Sequence, residues 1–270
     1  MTAEPPSVRA GTRHVSTGRV QYWETGDAVD PVTVLLHGMC GTHADMRPLA
    51  HFLQRQQPGR LVLLDLPGHG TSDPLPSPPD VPGIARVVAE VLGQLRTSET
   101  RVVGHSLGAA VATALGAHHP ELVSRLVLLD PGMVLPERTR SRLRTVYDSA
   151  EADGFAAMID RVFRPMLFTD NDPPDFANAL LQRMTDAGVE QFRAVGHAVL
   201  GFDGLPAVRA VTNPTLLIST DTGLADTDRI RRANPAWNLR HDGGTSHAGL
   251  LVQPGTHRAV AQFLRSGGIR

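Results

Sequence analysis

The stretch Arg101-Val102-Val103-Gly104-His105-Ser106-Leu107-Gly108-Ala109-Ala110 leaves this chain few ways to fold. An apolar run enters Gly-x-Ser-x-Gly and a run of small helix formers leaves it, so the segment reads as a strand turning sharply into a helix. Gly104 and Gly108 let the backbone close where side chains would collide, which pushes the Ser106 hydroxyl out at the tip of a sheet. The helix that begins there aims its N–H groups at the same point, ready to stabilise an oxyanion. The plainer alternative is a Gly/Ser loop entering an ordinary helix, because five-residue patterns also arise by chance.

The surrounding pattern favours the turn. Val32-Thr33-Val34-Leu35-Leu36, Leu61-Val62-Leu63-Leu64 and Leu126-Val127-Leu128-Leu129 are nearly unbroken apolar runs, as expected of strands buried on both faces of a parallel sheet. Helical stripes lie between them: Met46, Leu49, Ala50 and Leu53 predict a helix over about 42–56, and Ile84, Val87, Val88, Val91, Leu92 and Leu95 predict another after a proline-rich connection at 74–82. Residues 1–12 are expected to form an irregular lead-in, with one or two short strands over 15–26. From 133 to about 210 the pattern is helical only, and Asp175 is a candidate cap for one of those helices. Strand character resumes at Thr215-Leu216-Leu217-Ile218-Ser219, and the more polar Trp237-Asn238-Leu239-Arg240 is placed near a sheet edge. Strands alternating with helices predict an α/β fold, a doubly wound and mostly parallel sheet. Residues 1–132 and 211–270 would form its core, and 133–210 a helical cap over the strand ends where ligands bind.

Composition removes several function classes. The chain has 270 residues and a formal net charge of −1, with no long basic or acidic run, so neither nucleic acid nor a membrane surface is an expected partner. No run is long enough to span a bilayer and the first residues lack the apolar core of a signal peptide. The single cysteine, Cys40, leaves no internal disulfide and fits a reducing cytoplasm. All 26 basic residues are arginine, which excludes Schiff-base chemistry, a pyridoxal-phosphate lysine and a P-loop lysine. No His/Asp/Glu group has metal-ligand spacing, so no metal and no cofactor are expected. The expected partner is a small-molecule substrate, and the default assembly a monomer or weak homodimer.

Taken together, Leu36-His37-Gly38, Asp65-Leu66-Pro67-Gly68-His69-Gly70-x-Ser72, Gly104-His105-Ser106-Leu107-Gly108, Leu128-Leu129-Asp130-Pro131 and His247 followed by Gln253-Pro254 resemble the α/β-hydrolase superfamily over nearly the whole chain. The resemblance implies a serine nucleophile, Ser106, and a general base, His247, placed after the last strand and before the final helix, where this fold puts its base. It implies oxyanion donors at the backbone N–H groups of Met39 and Leu107. His37, Gly38, Cys40, Tyr147, Phe163 and Phe168 are expected around the substrate pocket, although most of the cap's apolar residues are expected simply to pack on one another. His37, His69 and His105 are read as shaping the loops that carry them, and His118-His119 as a favourable cation at a helix end.

The acid stays open at this level. In most relatives it follows the strand matching 215–219, a position that falls here at Gly223, flanked by Asp221 and Asp226. Asp130, at the end of the strand after Ser106, is the preferred candidate and Asp221 the alternative; the order Ser, Asp, His holds for both. The chemistry implied is hydrolysis of an ester, lactone or thioester through an acyl-enzyme. Two other readings remain. One is a cofactor-free dioxygenase or a lyase using the His/Asp pair for proton abstraction, a type that Gly243-Gly244-Thr245-Ser246-His247 also resembles. The other is a ligand-binding relative without catalysis.

Overall fold

Alternation along each buried strand decides the layers of this molecule. In the computed structural model, which describes residues 8–26, 30–56, 59–74, 78–221 and 224–268, eight strands form one sheet. They are β1 (Arg9–Val15), β2 (Gly18–Thr25), β3 (Val32–Leu36), β4 (Arg60–Leu64), β5 (Thr100–His105), β6 (Arg125–Leu129), β7 (Thr215–Ser219) and β8 (Asn238–His241), ordered β1-β2-β4-β3-β5-β6-β7-β8. The β1–β2 and β2–β4 pairs are antiparallel and every other pair is parallel. Val34, Val102, Leu128 and Leu217 point to one face, and Leu35, Val103, Leu129 and Ile218 to the other. Each such side chain contributes roughly 1.5–3 kcal/mol by leaving water, so one-residue register slips are excluded.

The helices follow from that division. α1 (Arg47–Gln56) and, at the chain's end, α10 (Pro254–Ser266) cover one face with Leu49, Leu53, Val260 and Phe263. The other face is covered by α2 (Val81–Gly93) and α3 (Leu107–His118). Every residue of α3 from Leu107 to Gly116 is buried, which its small side chains permit. Between β6 and β7 come α4 (Glu137–Asp148), α5 (Phe155–Leu167), α6 (Pro174–Asp186), α7 (Gly188–Gly201) and α8 (Gly204–Ala210). Leu143, Tyr147, Phe155, Phe163, Leu181 and Phe192 pack α4 to α7 on one another in a separate apolar cluster. Val208 of α8 belongs instead to the sheet's own core beside α3, as do Val195 and Val199 of α7 and Ile230 of α9 (Thr227–Ala233).

Several sequence expectations need correction. The irregular lead-in stops short, because Arg9–Val15 pairs with Gly18–Thr25 as an antiparallel hairpin. An edge strand with one exposed face alternates too weakly, and carries too much arginine, to stand out from a loop. The helix expected over 42–56 begins instead as a 3-10 turn, His43–Met46, capped by Thr42 and Asp45. Asp175 is not the cap of α6, which starts at Pro174 after an N-cap at Pro173. Residues 1–7 of the lead-in, 75–77 of the proline-rich connection, and Gly223 lie outside the described residues.

Candidate active site

The rim at the C-terminal ends of β3, β5, β6 and β7 is built by backbone before side chains enter. Ser106 sits between β5 and α3 at φ 53° and ψ −111°, a region non-glycine residues visit only under constraint. Its N–H donates to Leu129 O at 2.9 Å, which fixes the elbow against β6. The glycines are required by close approach: a Cβ at Gly104 would run into the Gly108 carbonyl, and one at Gly108 into that of Leu36. Gly38 faces the elbow less tightly, since a Cβ there would stand 3.2 Å from His105 Nδ1 and 3.4 Å from the Ser106 Cβ. The loop bearing Met39 is thereby held beside the serine, and Leu107 opens α3 immediately after it.

One register brings the second group together. Leu129 of β6 pairs with Ile218 of β7, so the residues just beyond each strand share one edge of the rim. Asp130 there is fully buried at φ 42°, its N–H donating to Ile218 O at 2.7 Å. The His247 Nδ1–H donates to Asp130 Oδ2 at 2.8 Å. Thr220 Oγ1 donates to the same oxygen at 2.8 Å, while the Thr220 N–H lies 3.4 Å from Oδ1. A carboxylate accepting at Nδ1 keeps the imidazole proton on that nitrogen and leaves Nε2 as the basic one.

The other motif histidines are fasteners. His105 Nε2–H donates to the His247 carbonyl at 3.0 Å, and the two rings lie 4.5 Å apart. Burial, and then the neighbouring His247, push the His105 pKa down to about 3, so it stays a neutral donor. His37 donates from Nδ1 to Gly38 O at 2.7 Å and accepts the Leu66 N–H at Nε2 at 3.0 Å, tying the ends of β3 and β4 together. Its pKa also falls to about 3, through burial and then the charge of His69.

Ser106 and His247 both line one cavity beneath the helices. Gly38, Met39 and His105 form its floor, and Leu143, Tyr147, Phe163, Met184 and Val199 its roof. Three expected pocket residues are not on this wall. His37 is consumed by its two backbone partners; Cys40, at φ 55°, turns into the apolar cluster of the helices, where burial pushes its thiol pKa up to about 12; Phe168 packs edge-on against Phe176. Asp221 is also placed elsewhere. Exposed beyond β7, it accepts from the Gly244 N–H at 2.8 Å and from His241 Nε2 at 2.9 Å, contacts that in that order hold its pKa below the usual range. Asp226 caps α9. No cluster able to hold a metal ion occurs among the described residues.

A model of the alpha/beta hydrolase family matches residues 33–262. The chain belongs to that family. Among curated relatives of this alpha/beta hydrolase, sn-1-specific diacylglycerol lipase ABHD11 of Xenopus laevis is 32% identical over 114 residues, 42% of this chain and 36% of that protein. The chain thus matches about a third of the length of the first such relatives, at 36%, 35% and 34%. The 2-(acetamidomethylene)succinate hydrolase of Mesorhizobium japonicum is 23% identical across 98% of this chain and 99% of its own. Among solved structures, the enol-lactonase from Burkholderia xenovorans LB400 superposes with a TM-score of 0.82 at 18% identity, covering 95% of this chain and 100% of that one, which is a likeness of fold.

Sequence reasoning missed two members of this alpha/beta hydrolase's site. Thr220 carries no motif of its own: the β6–β7 register continues Leu129–Ile218 to Asp130 and Ser219, and Thr220, one residue further on, reaches Asp130 only through its hydroxyl. The second is Asp45, a buried carboxylate on the cavity wall, which reads in sequence as an ordinary residue of a helix's first turn.

Proposed function

We propose that this protein is a serine hydrolase that cleaves an ester, lactone or thioester bond of a small to medium, largely apolar molecule through an acyl-enzyme. The observation that carries the reading is the 2.8 Å contact of His247 Nδ1 with a fully buried Asp130, at a cavity that Ser106 shares with His247. In this reading His247 Nε2 takes the Ser106 proton as Oγ attacks the substrate carbonyl, and Asp130 stabilises the imidazolium that forms. The N–H groups of Met39 and Leu107 receive the oxyanion, each contributing about 3–4 kcal/mol to the transition state. The imidazolium then protonates the leaving group. Water, deprotonated by the same nitrogen, releases the acid and restores Ser106. The lipase, hydrolase and lactonase names of the relatives support the reaction class.

The direct test is intact mass after treatment with a neutral organophosphonate. One adduct mapped to Ser106, and none in Ser106→Ala, is the expected result; folded protein that stays unlabelled would refute the reading. A second reading draws on the position of the acid, at the end of β6 instead of after β7. There the His247/Asp130 pair would deprotonate an aromatic hydroxyl for cofactor-free oxygenation, with Ser106 only orienting it, and oxygen uptake without added flavin or metal would identify it.

A further inference from the structure

The cavity carries a fixed charge that the hydrolytic reading does not use. Asp45, 2% exposed, lies on its wall at the end of the loop that bears Met39. One carboxylate oxygen, Oδ2, accepts the Thr42 N–H at 3.0 Å. The other, Oδ1, accepts Arg183 Nε at 2.8 Å and also Arg183 Nη2, so a side chain of α6 closes over it. Among the described residues that line the cavity there is no arginine, and the chain contains no lysine.

We propose that this wall selects for substrates whose acyl portion is uncharged, and that Asp45, which lines the cavity while its partner Arg183 does not, is the residue that sets the selection. The inference rests on the serine-hydrolase reading and narrows its substrate class. A carboxylate entering the cavity loses water, finds no cation on the wall to replace it, and meets the carboxylate of Asp45. Arg183 is not available to it, because withdrawing the guanidinium would leave Asp45 buried and unpaired. Burial already lifts the Asp45 pKa, with Arg183 pulling it back. The selection separates this chain's substrate from the succinate named for the Mesorhizobium relative.

The test is three para-nitrophenyl esters of similar acyl length: the butyrate, the hemisuccinate and the methyl-capped succinate. At neutral pH both uncharged esters should be turned over, and kcat/KM for the hemisuccinate should fall roughly 100-fold below the methyl-capped diester, the scale expected for an unpaired buried charge. In Asp45→Asn the gap should shrink by about tenfold. A hemisuccinate rate within threefold of the capped diester, or above it, overturns the proposal and means that Arg183 leaves Asp45 for the substrate. An unchanged gap in folded Asp45→Asn overturns the role given to Asp45, and the wild-type ratio decides the selectivity whether or not that variant folds. If none of the three esters is cleaved and Ser106 takes no phosphonate, the hydrolase reading itself has failed and the selectivity falls with it.

Discussion

The rim of the sheet and the helices above it meet at one cavity but are specified in different ways. On the rim, positions follow from backbone: Gly104 and Gly108 admit no Cβ, Ser106 and Asp130 hold positive φ, and the β6–β7 pairing ties the Asp130 N–H to the Ile218 carbonyl. In the helices, positions follow from side-chain packing: Phe192 stands edge-on to Tyr147, Phe155 and Phe163 at centroid distances of 5.1, 5.4 and 5.4 Å. A backbone-built site tolerates almost no variation in geometry, whereas a packed apolar roof can exchange volume for volume. The rim therefore dictates the chemistry and the roof the shape of what is admitted.

Ser106→Ala should separate the two regions most sharply. It removes the nucleophile without touching the roof, so kcat for a neutral ester should drop about 100,000-fold with melting temperature nearly unchanged; retention of a tenth of the activity would mean that the serine is not the nucleophile. Phe163→Ala does the reverse. It empties a fully buried site between α5 and α7, so urea denaturation should show a loss of about 3–5 kcal/mol, with KM raised more than kcat is lowered. A kcat loss as large as that of a rim variant would erase the distinction.

Acid should act through the rim. His37 and His105 are held neutral when folded, with pKa values near 3, but bind protons freely near 6.5 when unfolded. Between those values the unfolded chain binds more protons, so stability falls as pH falls below about 6.5, each histidine costing about 1.4 kcal/mol per pH unit. Urea titrations at pH 7 and 5 should differ by about 2 kcal/mol for each histidine, and a flat profile would show that the two are not buried neutral. The smallest effect is expected of Thr220→Val, which deletes one hydroxyl donor to Asp130 and should lower kcat about tenfold; no change in kcat would remove Thr220 from the site.

The same division explains what could be read from the sequence. The elbow, the apolar parallel strands and His247 were legible because each rests on a local rule, glycine at a close approach or a run buried on two faces. The acid was not, since Asp130 and Asp221 both follow buried strands closely, and only the direction of the two carboxylates separates them. Cys40 and Phe168 fall off the cavity wall for a related reason: a motif or an apolar residue says that a side chain turns inward, not whether it meets the cavity or another helix. The hairpin strand at Arg9–Val15 was hidden because its partner, not its own pattern, makes it a strand.

The most direct test of the central claim sets Asp130→Asn against Asp221→Asn. The account predicts that Asp130→Asn lowers kcat about 10,000-fold by mis-setting the imidazole tautomer while its fold is kept, and that Asp221→Asn stays within about twofold of wild type. A large loss in Asp221→Asn with Asp130→Asn close to wild type would contradict it.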